Sequence, residues 1–72
     1  MIVTLITGEA VDSAGEEWRH ECEARMVADR PTLLERRAYL EEVERRRGKA
    51  EADRLRETMG AIWKARKAAR ER

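Results

Sequence analysis

Glu16, His20 and Cys22 are the residues of this chain whose side chains ordinarily do chemistry at close range. An imidazole and a thiol two positions apart, with carboxylates around them, invite a metal ion or an activated nucleophile. Helical geometry argues against both. Residues two apart diverge by about 200° on a helix, so His20 and Cys22 point away from each other. Glu16 and His20 share a face, but two ligands do not make a zinc site, and the sequence holds one histidine and one cysteine in all. The sequence therefore predicts an exposed, ion-paired His20, a half-buried Cys22, and no catalytic residue, metal or cofactor. It also lacks a glycine-rich phosphate loop, a serine-nucleophile motif and carboxylates spaced as an acid/base pair.

The other chemically suggestive stretch is Trp63-Lys64-Ala65-Arg66-Lys67-Ala68-Ala69-Arg70-Glu71-Arg72, with five basic side chains against one acidic and an aromatic at its head. Such a helix offers cations to phosphates or to carboxylates. Arg36 and Arg47 join it, because both project into the apolar arc of the preceding helix. There the arginine stems would cover the core edge, and the heads would reach water or an acidic neighbour. The expected partner-binding residues are thus Arg36, Arg47, Trp63, Lys64, Arg66, Lys67 and Arg70. Arginine and tryptophan are also the side chains that most often anchor protein interfaces. Trp18, by contrast, is expected in the core.

Three helices and an arm must carry these groups. Ile2 to Ile6 is apolar and β-branched, Thr7-Gly8 supplies a turn, and Glu9 to Val11 returns, which predicts a hairpin over residues 1–12. Ser13-Ala14-Gly15-Glu16 reads as a capping box opening a first helix over 13–29, with Trp18, Cys22 and Met26 as its apolar stripe. Pro31 ends it. Thr32-Leu33-Leu34-Glu35 is a second capping box, opening a helix over 32–47 with Leu33, Tyr39, Leu40 and Val43 on one arc. Gly48 follows three arginines and offers a left-handed cap. The third helix, 49–72, carries Ala52, Leu55, Met59, Ile62, Arg66 and Ala69 at heptad spacing, weakened at Gly60. A homodimer closed on that face is one expectation.

Seventy-two residues allow a single domain with a thin core. One cysteine, no secretory or transit leader and no apolar run of membrane length imply a cytoplasmic protein without membrane contact. Charged residues make up 43% of the chain yet nearly cancel at +1. That balance disfavours nucleic-acid binding by bulk charge. The distribution is polar, however. Residues 1–30 hold three basic and seven acidic side chains, residues 31–72 thirteen and eight.

Three segments resemble a family of short, uncharacterised proteins encoded in proteobacterial phages and prophages, over most of residues 13–63. They are Trp18-Arg19-His20-Glu21-Cys22-Glu23-Ala24-Arg25, Pro31-Thr32 with Arg37-Ala38-Tyr39-Leu40, and Arg46-Arg47-Gly48-Lys49 with Ala52 and Leu55. The resemblance brings no active site to these positions. It implies a small accessory protein that works stoichiometrically on a bacterial host protein, as inhibitors of host defence such as anti-CRISPR proteins do. The expected object is a mainly α, compact three-helix domain with a short N-terminal β-hairpin and a long C-terminal helix, non-enzymatic and binding a host protein. The alternative is a small nucleic-acid-binding protein that uses the second and third helices and the basic tail. Glu51, Asp53 and Glu57 stand against it, because they would repel phosphates from the first half of the third helix.

Overall fold

The computed structural model describes residues 1–71, in the order β1 (Ile2–Thr4), β2 (Ala10–Asp12), α1 (Glu16–Ala28), α2 (Leu33–Arg47) and α3 (Lys49–Arg70). The two strands pair antiparallel, with Val3 opposite Val11, Ile2 opposite Asp12 and Thr4 opposite Ala10. Val3 and Val11 are half-buried while their strand neighbours are exposed, the period-two alternation of a one-sided sheet. Leu5 N–H donates to the Glu9 carbonyl at 2.8 Å and Gly8 N–H to the Leu5 carbonyl at 2.9 Å. Gly8 closes this tight loop at φ +93°, where a side chain would be strained.

α1 does not begin with the expected capping box. Asp12 Oδ1 accepts the Ala14 N–H at 2.9 Å, and its carbonyl accepts the Gly15 N–H at 2.9 Å. That turn places Gly15 at the N-cap with no side-chain hydrogen bond, so Ser13 lies too far upstream to serve. α2 starts as expected, at Thr32, whose Oγ1 accepts the Glu35 N–H at 3.1 Å. The reciprocal arm runs through the hydroxyl, which donates to Glu35 Oε2 at 3.2 Å.

Gly48 alone connects α2 to α3. It has φ +95° and ψ 166°, a mirror-extended conformation open to glycine and not the left-handed helical cap that was expected. Its N–H caps α2 on the Glu44 carbonyl, and its own carbonyl receives Ala52 N–H. This one-residue link folds α2 back along α3, bringing Leu33, near the start of α2, to the same groove as Trp63.

The core is Ala24, Val27 and Ala28 from α1, Leu40 and Val43 from α2, and Ala52, Leu55, Met59 and Ile62 from α3, with Ile6 and Tyr39 packed at its edge. Full burial of side chains such as Leu55, Met59 and Ile62 contributes roughly 1.5–3 kcal/mol each. The heptad stripe expected to close a dimer is therefore consumed inside the fold as far as Ile62. Only Arg66 and Ala69 of that stripe are exposed.

α1 presents a different face from the expected one. Cys22 is exposed, Met26 is 46% exposed and Trp18 is half-buried. The buried face is Glu21, Ala24, Val27 and Ala28, roughly 150° round the helix from that stripe at about 100° per residue. Ala24 and Ala28 are both buried in the core, so the small side chains of α1, rather than its larger apolar ones, face the other helices. Leu33 likewise leaves the core of α2, at 53% exposure.

Candidate functional site

Glu21, 3% exposed, is the buried charge of this fold. Its Oε1 accepts the Ile6 N–H at 2.7 Å, and its Oε2 pairs with Arg25 at 2.8 Å. The guanidinium of Arg25 also lies 5.4 Å over the Trp18 ring. One carboxylate thus holds the hairpin loop on the helices. No local pattern in the sequence announces this, because donor and acceptor are 15 residues apart.

His20 is half-buried and hydrogen-bonded, where an exposed ion pair was expected. Its Nε2 lies 2.7 Å from Thr58 Oγ1, and the Thr58 hydroxyl donates to the Arg54 carbonyl at 3.1 Å. With the hydroxyl proton so committed, the imidazole is the donor at Nε2. Burial, together with the nearby Arg54 charge, lowers the His20 pKa, against the opposing pull of Glu16, Glu51 and Glu23. Arg54 in turn forks onto Glu16 at 2.8 and 3.4 Å and holds that carboxyl below the ordinary carboxylate range. A cleft of about 290 Å³ lies beside this cluster, walled by Leu5, Ile6, Thr58 and Ala61. Cys22 takes no part in it. Among the described residues, no three His, Cys, Asp or Glu side chains converge on a metal position.

The seven expected contact residues divide into two groups. Arg47 grips Glu23 of α1 at 3.1 and 2.6 Å, and Tyr39 Oη donates to the same carboxylate at 2.5 Å. The Arg47 bond is the largest cause of a lowered Glu23 pKa; burial together with the Glu23 contact raises that of Tyr39. Arg66 pairs with Asp29, at the end of α1, at 2.7 Å. Arg36 donates to the Arg30 carbonyl at 2.8 Å and lies 5.5 Å over the Trp63 ring. These three arginines hold the helices together.

Trp63, Lys64, Lys67 and Arg70 are the other group, exposed along the last turns of α3. Among the described residues, Lys64, Lys67 and Arg70 make no ion pair. Neither does Arg37. Because α2 and α3 are antiparallel about Gly48, Leu33 and Trp63 face each other across a groove of about 220 Å³. Arg36, Arg37, Leu40, Arg56 and Met59 complete it. Leu34, next to the groove in sequence, is 78% exposed. The signal that could have found this groove is the single glycine between two helices, which fixes the facing register.

Fold and surface together define a small three-helix module, faced with a hairpin and bearing an open cationic groove headed by tryptophan. A model of a family of unknown function, DUF7696, matches residues 11–66, and the chain belongs to that family. No curated protein and no solved structure matches it. Among the described residues, no helix is long and apolar enough to cross a membrane.

Proposed function

We propose that the protein acts without catalysis, by stoichiometric docking on a protein partner through the groove and the exposed turns of α3. The observation that carries this is the sorting of cations. Arg47, Arg54 and Arg66 are paired with Glu23, Glu16 and Asp29, whereas among the described residues Arg37, Lys64, Lys67 and Arg70 make no ion pair and lie near Trp63 and the exposed leucines. Unpaired cations bordering an aromatic and apolar patch suit a protein surface that supplies both carboxylates and apolar side chains. The resemblance to short phage and prophage proteins supports a bacterial host protein as that partner, for instance part of a defence complex that the bound protein occupies and so inhibits.

The test is a tagged pull-down from bacterial extract, with and without nuclease, beside a Lys64→Glu/Lys67→Glu/Arg70→Glu variant. Arg66 is left unchanged, because reversing it would set a carboxylate against Asp29. One host protein retained after nuclease and lost with the variant is the expected result. Capture abolished by nuclease would favour the nucleic-acid reading, and capture indifferent to the variant would remove this surface from consideration.

A further inference from the structure

Three guanidinium groups line the Leu33–Trp63 groove, and among the described residues most of their donors make no hydrogen bond. Arg36 uses one N–H on the Arg30 carbonyl and buries its Nε, which leaves its remaining terminal N–H groups without a hydrogen-bond partner among the described residues. Arg56 uses one on Asp53 at 2.9 Å, and Arg37 uses none among the described residues. A planar guanidinium carries five donors in a fork that matches a carboxylate, so this is a concentration of unspent anion-binding capacity. The floor beneath it is apolar, from Leu33, Leu40, Met59 and the Trp63 ring.

We propose that the groove receives an acidic segment of a protein partner. A carboxylate side chain sits among Arg36, Arg37 and Arg56, and an apolar side chain one helical turn away rests on Leu33 and Trp63. This deepens the docking reading and rests on it. Charge complementarity selects an acidic occupant, and the exposed leucines select a peptide over a nucleic acid, whose phosphates gain nothing from them. At about 220 Å³ the groove lies below the roughly 300–1,000 Å³ typical of small-molecule sites and has room for one or two side chains.

The experiment uses the full chain carrying Trp18→Phe, which leaves Trp63 as the only indole reporter. It is titrated with a synthetic helical peptide bearing Glu and Leu at i, i+4 spacing, with the same peptide carrying Gln for Glu, and with a single-stranded oligothymidine. Saturable change of Trp63 emission by the acidic peptide is expected, weaker by about tenfold or more for the Gln peptide and for an Arg37→Glu protein. Both comparisons are made on protein with unchanged helical circular dichroism. Equal binding of the Glu and Gln peptides, preference for the oligonucleotide, or no saturable binding of the acidic peptide overturns the proposal. Binding abolished by Lys64→Glu/Lys67→Glu/Arg70→Glu but indifferent to Arg37→Glu and Leu33→Ala overturns the groove alone and leaves the broader docking surface standing.

Discussion

Removing the Glu21 carboxylate tests how the hairpin is held. A two-stranded hairpin is marginal in water by itself, so β1 and β2 persist only through what they touch. Glu21→Ala deletes the acceptor of the Ile6 N–H and the partner of Arg25 in one step. A hydrogen bond to a buried charged group is worth about 1.5–3 kcal/mol, and the orphaned Ile6 amide must then find water. We expect a loss of about 2 kcal/mol in urea unfolding followed by tryptophan fluorescence, equivalent to about 10 °C in Tm for a domain of this size. Glu21→Gln can keep an oxygen facing Ile6 but turns its NH2 toward the Arg25 guanidinium, so it loses that ion pair and hydrogen bond; because Arg25 is half-exposed, the variant should cost less than Glu21→Ala. Amide exchange gives the local reading. Ile6, Leu5 and Gly8 should lose protection in Glu21→Ala while Leu55 and Ile62 keep theirs, apart from the global change. Wild-type protection of Ile6 in Glu21→Ala, or equal destabilisation by both variants, would refute the account.

Gly60→Ala should stabilise the protein by about 1 kcal/mol in the same unfolding assay, since Gly60 lies inside α3 and nothing stands within 4 Å of an added Cβ. Gly48→Ala should cost about 1–3 kcal/mol, although its Cβ also meets nothing, because φ +95° with ψ 166° is strained for any side chain. The His20 pKa is lowered in the fold from 6.5, so the unfolded chain takes up the proton first as pH falls. Stability should be full above about pH 6.5 and decline on acidification below it, and His20→Gln should flatten that first decline in unfolding curves taken across pH. A second decline belongs to Glu16 and Glu23, whose lowered pKa values make their contribution full above about 4.5 and lost as pH falls through the folded values.

What the sequence made legible was what nearby residues decide. Thr32 and Glu35 cap α2 because donor and acceptor are three positions apart, and Ala52, Leu55, Met59 and Ile62 form the core stripe because helical periodicity alone selects them. What it hid depended on distant partners. Ala24 and Ala28 carry little hydropathy, yet they are buried in the core, and Glu21 reads as a solvated charge until Ile6 arrives above it. Asp12 displaced Ser13 from the start of α1 because the hairpin delivers Asp12 into a turn of its own. Among the candidate contacts, residue type alone could not separate Arg47 and Arg66, spent on α1, from Lys64 and Lys67, which are not. Arg37 could not be singled out because it falls outside the apolar arc of its helix formed by Leu33, Tyr39, Leu40 and Val43.

The bonds Glu16–Arg54, Glu23–Arg47 and Asp29–Arg66 fasten α1 near its start, in its middle and just past its end, and in each the acid comes from the first thirty residues and the cation from the rest. The chain is thus two self-complementary halves of opposite sign joined at Arg30-Pro31. Each pair draws the acidic first segment toward the basic remainder, while the buried side chains shared by all three helices supply the larger part of what holds them together.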